Sequence, residues 1–206
     1  SQRLKLLGKT EFQQLNLGIN STLATTLLPQ IFPKFHHQYP GVLLNVVEDH
    51  NSELRRQLLS GQFDVQIGFG QVDQSHLQDA SLVNAAVSLV IPKRLITPEK
   101  QALLTPLPTT NIGPLLDHLP IFQGIANSGF QAAIDEYLLN QHISTDPVLS
   151  NMLMPTGIAL IKVGAGAMIM PNFLIDQFLS DQQTKQSLFF QPIQKETLSY
   201  PVKIYW

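Results

Sequence analysis

Between residues 15 and 40, LNLGINSTLATTLLPQIFPKFHHQYP, the apolar period changes once, and that change restricts the folds open to the chain. Leu15, Leu17 and Ile19 alternate with Asn16 and Gly18, the period of a strand with one buried face. Asn20-Ser21-Thr22 interrupts it with small polar residues. Leu23, Leu27, Leu28, Ile31, Phe32 and Phe35 then follow at helical spacing and form one apolar stripe. Ser21 or Asn20 is the natural N-cap. Pro29 suits the first turn of a helix restarting at Leu28, whereas Pro33 must give up a backbone bond, so two helical pieces with a kink are expected. A strand that hands hydroxyls and unpaired N–H groups to a helix N-terminus offers a place for an anion or a polar small molecule. Capping is the commoner use of such residues, and the sequence leaves both readings open.

The rest of the chain alternates in the same way. Residues 42–48 read as a strand covered on both faces, and 49–52 as a turn. A helix over 53–60 should point Leu54, Leu58 and Leu59 inward and Arg55, Arg56 and Gln57 outward, with Gly61 closing it. Residues 63–70 form a third strand, which completes a parallel α/β unit with its ligand side at the carboxyl edge. Residues 71–80 are polar and turn-like, and 82–91 read as one long strand passing between subdomains. Pro92, Pro98, Pro106, Pro108 and Pro114 leave room for only a short helix over 99–103.

A second α/β half starts with a strand over 119–122 and a loop over 124–129. A helix over 130–140 should bury Phe130, Ile134, Tyr137 and Leu138. A short strand follows at 146–150, then a helix from Pro155 that buries Ile158, Leu160, Ile161 and Val163 until Gly164-Ala165-Gly166 stops it. Strand 167–170, a helix from Pro171 to Leu179, and strands 187–193 and 199–206 complete the chain, with 187–193 returning beside the crossing strand. The expected class is α/β, two Rossmann-like subdomains joined by two hinge crossover strands, with a cleft beneath the hinge.

Composition and motifs narrow the function. A hydrophobic fraction of 44% and a charged fraction of 14% in 206 residues describe a globular protein. The net charge is −2 and only Arg55-Arg56 and Lys93-Arg94 are adjacent basic pairs, which is no footprint for nucleic acid. The absence of cysteine excludes disulfides and thiolate chemistry and is compatible with a cytoplasmic location. No run approaches the ~20 apolar residues of a membrane helix, and no signal peptide is recognisable. A start at Ser1 suggests an excised fragment, with residues 2–7 the tail of an earlier helix ended by Gly8.

Enzyme readings lack their chemistry. Gly164-Ala165-Gly166 precedes a strand, and Ile169 stands where a dinucleotide loop needs its third glycine. Gly124 is too far from Ser128 for a nucleophile elbow. His36 and His37 are neighbours, ~100° apart on a helix, and cannot chelate one metal together. His50, His76, His118 and His142 are isolated, and Asp64 at a strand start suits a backbone-bonding role. No catalytic residue, metal site or cofactor is expected.

Particular marks resemble the effector-binding domain of LysR-type transcriptional regulators, whose fold is that of type 2 periplasmic binding proteins. They are the first strand followed by Ser21 and Leu27-Leu28-Pro29, then Phe35, Tyr39-Pro40, Leu58, Gly61, Phe63 and Asp64. Farther on come Leu89-Val90-Ile91-Pro92 and the stretch from Val163-Gly164 to Met170-Pro171. The resemblance covers about residues 15–206. It implies a linker-helix remnant at 1–11, subdomain I at 12–86 plus 191–206, and subdomain II at 87–190. It also implies an effector held in the cleft by Asn20, Ser21, Thr22, Phe69 and Gly70 from one side and by Asn127, Ser128, Met154, Pro155 and Thr156 from the other. None of these is charged, which favours a small, neutral or weakly anionic metabolite. Capping remains an equal alternative for Asn127 and Ser128.

The same resemblance implies a homodimer, or a tetramer in the full-length protein, through Leu28, Ile31, Phe32, Phe35 and Val42 against the partner's helix carrying Phe130, Ile134 and Tyr137. DNA would be bound only through a missing N-terminal winged helix-turn-helix. The departures are Lys93-Arg94-Leu95 where the family has His-Pro, a Pro-rich stretch over 105–118, and no last helix beyond Trp206. An exported solute-binding protein of a transport system, with the same fold, is the alternative.

Overall fold

A central strand pairs in parallel on both sides. In the computed structural model, which describes residues 13–70, 77–126 and 128–206, β1 (Gln13–Asn20) lies against β2 (Val42–Asp49) and β3 (Val65–Phe69). Its register runs from Gln13↔Val42 to Asn20↔Asp49 on one side and from Leu17↔Val65 to Ile19↔Ile67 on the other. With β4 (Asp79–Ala85) and β10 (Tyr200–Tyr205), the sheet order is β2-β1-β3-β10-β4. The described chain divides into two compact units, one of 13–68, 77–80 and 203–206 and one of 69–70, 81–126 and 128–202.

In the first unit α1 (Ser21–Gln38) connects β1 to β2, and α2 (Asn51–Leu59) connects β2 to β3 on the other side of β1. Right-handed crossovers in opposite directions put the two helices on opposite faces of the sheet. Side chains follow that division. Gly18 faces α2, where an added Cβ would lie 2.8 Å from the Phe63 ring and 3.2 Å from Leu54, and Val47 packs on the cluster of Leu54, Leu58, Phe63 and Tyr205. Leu17 and Ile19 alternate to the other face, the side of α1 and its buried Leu23 and Ala24. Register is also held by polar groups: Asp64 Oδ2 accepts Asn16 N–H at 2.7 Å and Asn16 Nδ2 at 3.0 Å, while Asn16 Oδ1 accepts from Asn45 Nδ2 at 3.0 Å. Asp64 therefore has the backbone-bonding role expected of it.

Four expectations for this region need correction. α1 is one helix with Pro29 and Pro33 inside it, not two pieces. Both prolines are exposed, so carbonyls that lose an N–H partner remain on the solvent side, where water can satisfy them. Among the described residues β2 is an edge strand, paired with β1 alone and half exposed. Arg55 points inward while Leu59 is exposed, because positions 51, 54, 55 and 58 share one face of α2. Residues 82–91 belong to two strands, since Ala86 O turns out of the ladder to accept Asn172 N–H at 2.8 Å.

The second unit is built on β5 (Val87–Pro92), buried along its whole length and antiparallel to β8 (Met168–Pro171) on one side and β9 (Leu188–Ile193) on the other. β6 (Ile121–Gly124) and β7 (Pro147–Met152) pair in parallel, and Phe122 N–H donates to Ala167 O at 2.8 Å. The helices among its described residues are α3 (Pro98–Gln101), α4 (Gly113–Leu116), α5 (Gly129–Asn140), α6 (Met154–Lys162), α7 (Asn172–Phe178) and α8 (Gln182–Ser187), with a 3-10 turn at Lys93–Leu95. Val90, Ile161, Met168, Met170, Leu174 and Leu179 form the core. Val163, expected inside, is exposed at the end of α6, just before Gly164 turns the chain with φ 74°.

The Pro-rich stretch is held by one buried side chain and one isolated β-bridge to β9. Gln191, fully buried on β9, accepts Thr105 N–H at 2.9 Å and donates to Leu107 O at 3.1 Å. Thr109 N–H then donates to Pro192 O at 3.0 Å, and Gln194 N–H returns the bond to Thr109 O at 2.8 Å.

Gly166 is a close-approach position. A Cβ there would meet the Phe122 ring and lie 2.7 Å from Pro120 O, a backbone atom that cannot rotate away. Gly166→Ala is expected to lower stability by about 1–3 kcal/mol, as overpacking usually does, measured by urea unfolding followed by circular dichroism.

Candidate functional site

The carboxyl ends of the parallel strands in the first unit deliver Asn20, Ser21 and Thr22 to the start of α1. Of the two possible caps the structure uses Asn20: its Oδ1 accepts Thr22 N–H at 3.0 Å. Ser21, in the first turn and half buried, makes no side-chain hydrogen bond among the described residues. With the cap supplied by its neighbour, its hydroxyl is left to donate or accept beside the positive end of an 18-residue helix. No acidic residue stands in the first turn to neutralise that end.

The other expected residues lie in the second unit, and there the structure assigns several of them to packing or capping. Phe69 is buried, with its ring centroid 4.9 Å from that of Tyr200 and 6.0 Å from that of Phe130. Gly129 lets it in, since a Cβ there would lie 2.7 Å from the Phe69 ring. Gly70 N–H is already committed to Pro201 O at 2.8 Å. Ser128 caps α5, its Oγ accepting Gln131 N–H at 3.2 Å. Asn127 lies outside the described residues.

Met154, Pro155 and Thr156 occupy the first turn of α6, whose N-cap residue Leu153 has no side chain able to cap it. Thr156 is exposed and Met154 half buried against the core. The neighbouring loops are fixed by two residues that sequence reasoning missed. Asn151, at φ 58°, accepts Ala126 N–H through Oδ1 at 2.9 Å. Buried Gln131 accepts Gly124 N–H at 2.8 Å and donates to Asp135 Oδ1 at 2.8 Å. The sequence signal for Asn151 was faint: asparagine tolerates a positive φ better than most residues.

The residues expected at a subunit interface separate into two groups. Phe130, Ile134 and Tyr137 are buried inside their own unit, because α5 turns this stripe to its own core, and they offer no surface to a partner. On α1 and β2, by contrast, Ile31 is 40% and Phe32 46% exposed, and Leu28, Phe35 and Val42 are half buried. Beside them Leu28, Pro29, Phe32, Leu44 and Val46 line an open groove of about 340 Å³.

Electrostatics do not point to acid–base chemistry. Burial pushes the Tyr137 hydroxyl up to about 12, and burial also raises that of Tyr200, so both stay neutral across the physiological range. Glu53 is held low, to about 2, by hydrogen bonds from Arg56 and Gln57 on the exposed side of α2. Among the described residues no three His, Asp or Glu side chains come together as a metal site, and no helix is long and apolar enough to cross a membrane.

The division of labour at the start of α1 can be measured. Asn20→Ala removes the cap and is expected to cost about 1 kcal/mol, whereas Ser21→Ala is expected to stay within about 0.5 kcal/mol of the parent in thermal unfolding. Equal losses from the two substitutions would make Ser21 part of the cap.

Comparisons with known proteins agree with this architecture. A family model described as the LysR substrate binding domain matches residues 9–206. Over 89 residues, 43% of this chain and 31% of the relative, the sequence is 33% identical to the HTH-type transcriptional regulator DgcR of a Pseudoalteromonas species, so the match spans less than a third of that protein. Among solved structures, the reduced regulatory domain of OxyR2 from Vibrio vulnificus superposes with a TM-score of 0.73 at 18% identity, covering 97% of this chain and 89% of the other. The regulatory domain of CcmR from Synechocystis PCC6803, solved with 2-PG, gives a TM-score of 0.75 at 14% identity, covering 94% and 87%. The BenM effector binding domain with its effector benzoate gives 0.76 at 14% identity, covering 96% and 84%. At these identities the structural matches establish the fold, which is that of the expected two-subdomain α/β class.

Proposed function

Because the chain belongs to the LysR substrate-binding domain family, we propose that it is the ligand-sensing domain of a transcriptional regulator, in which effector binding biases the DNA-binding part of the full-length protein. The single observation that carries the site is Ser21: a hydroxyl at a helix N-terminus whose capping need is already met by Asn20. Asn20 and Thr22 flank it, and on the second unit the uncapped first turn of α6 with Thr156 is the corresponding candidate. The set contains no charge, so hydroxyls and helix N–H groups would recognise a small neutral or weakly anionic metabolite. Effector binding would act through its differential affinity for two conformations of the domain. No turnover is expected, and the family match together with the helix-turn-helix relative favours a cytoplasmic regulator over an exported transport protein.

The test is a thermal-shift screen of small metabolites, followed by calorimetry of the compounds that stabilise the chain. Ser21→Ala is expected to weaken the best ligand at least ten-fold, which is about 1.4 kcal/mol. An unchanged affinity would remove Ser21 from the site, and loss of the compound to a product would make the domain an enzyme.

A homodimer is the second part of the proposal. The apolar stripe on the later turns of α1 continues onto edge strand β2, where Leu43 is also exposed, and nothing within the first unit's described residues covers it. Phe32→Glu is expected to shift the chain from dimer to monomer in light scattering coupled to size exclusion. A mass that does not depend on this residue would place the interface elsewhere.

A further inference from the structure

Arg55 is the one basic side chain of α2 that faces inward, and its surroundings within the first unit do not account for it. It is 7% exposed, with the guanidinium carbon 5.0 Å from the centroid of the Tyr205 ring. Nη1 and Nη2 are both enclosed, and neither has an acceptor among the described residues. No carboxylate there is paired with it: the nearby Glu53 is engaged by Arg56 and Gln57. A guanidinium keeps its charge, and a buried charge without a counter-ion is among the least favourable arrangements a core can contain.

The same layer holds further unmatched polar atoms. Asn51 Oδ1 lies one turn earlier on the same face of α2, Gln66 Oε1 is on β3, and the Tyr205 hydroxyl is on β10; all are buried without a hydrogen-bond partner. Gly68 lets the Asn51 and Gln66 side chains approach β3 closely. A Cβ at this position would run into Asn51 Oδ1 and lie 3.3 Å from Gln66 Nε2, so both amides occupy room left by a missing side chain. The start of α2 adds its positive end, because His50 at the N-cap makes no side-chain capping bond. Four side chains from three elements of the first unit, Arg55 in contact with the Tyr205 ring among them, thus hold unused hydrogen-bonding capacity.

We propose that this layer of the first unit is an anion site for a small oxyanion. Two oxygens of a carboxylate or phosphate would accept the parallel N–H groups of Arg55 Nη1 and Nη2, the geometry for which a guanidinium fork is suited. The Tyr205 hydroxyl donates to the same group, and the Asn51 and Gln66 amides, which present a donor or an acceptor according to their rotation, complete its shell. The site lies on the α2 face of the sheet, whereas α1 lies across it, so it is separate from Ser21 and stands whether or not Ser21 binds an effector. It would give the domain a second input that responds to anion concentration.

The experiment titrates the 206-residue chain with sodium acetate and with sodium phosphate, each against sodium chloride at equal ionic strength, following thermal unfolding and the side-chain nitrogen resonances of Arg55. The expected result is a saturable rise in Tm, with movement of the Arg55 signals, for at least one oxyanion and not for chloride. A response to acetate alone assigns a carboxylate, and one to phosphate alone assigns a phosphoryl group. Arg55→Lys, which keeps the charge without the fork, is expected to weaken binding at least ten-fold. Arg55→Met is expected to abolish it while unfolding in chloride at a temperature no lower than the parent, since it removes an unpaired buried charge. The proposal is overturned if the parent shows no saturable response beyond chloride, if Arg55→Lys binds as tightly as the parent, or if the Arg55 resonances stay still. Those parent and lysine measurements decide the matter even where the methionine variant fails to fold.

Discussion

Everything in the first unit depends on β1 being paired in parallel on both sides. Parallel neighbours cannot be joined by a tight turn, so each connection needs a helix as crossover, and two crossovers running in opposite directions, β1 to β2 and then β2 past β1 to β3, cover both faces of the sheet. Gly18 is where this is felt most closely. Its missing side chain admits Phe63 and Leu54, while Leu17 and Ile19 are buried on the opposite side. Substituting a larger residue at one point on β1 would therefore disturb α2 packing directly, and any displacement of the strand would carry the first turn of α1 with it.

The parallel arrangement also explains why polar groups gather at strand ends. At the carboxyl ends the chain must pass from ladder to helix, and the first N–H groups of each helix lack partners within it. Asn20 answers that need for α1, and Ser128 does the same for α5 with a side-chain oxygen. At α2, α4, α6 and α7 no side chain caps the first turn.

The order of elements was readable because periods of two and of three to four survive in the sequence even where individual residues are misplaced. β1, α2, β3, α5 and β8 all fall where their patterns put them. The errors have local causes. Arg55 was assigned to the outside by residue type, although it lies three positions from Leu58 and one from Leu54, within the inward arc. Pro33 was read as a break, but a helix can carry a proline when the released carbonyl faces water. The stripe of Phe130, Ile134 and Tyr137 was correctly recognised as inward by spacing and then also expected at an interface by resemblance; one side chain cannot serve both. Gln191 left no mark in the sequence and Asn151 only its tolerance of a positive φ, because their backbone partners are 84 to 86 and 25 residues away and no periodicity encodes them.

The amide and carboxylate group around Asn16 has a consequence for how this architecture can change over time. Because Asp64, Asn16 and Asn45 join three strands at matched positions, sliding any one by a single residue would break the junction and send every side chain on that strand to the wrong face. The lock sits partway back along β1 from residues 20–22. Those three positions are thereby released from specifying alignment, and mutation can explore new recognition chemistry there without the sheet losing its place.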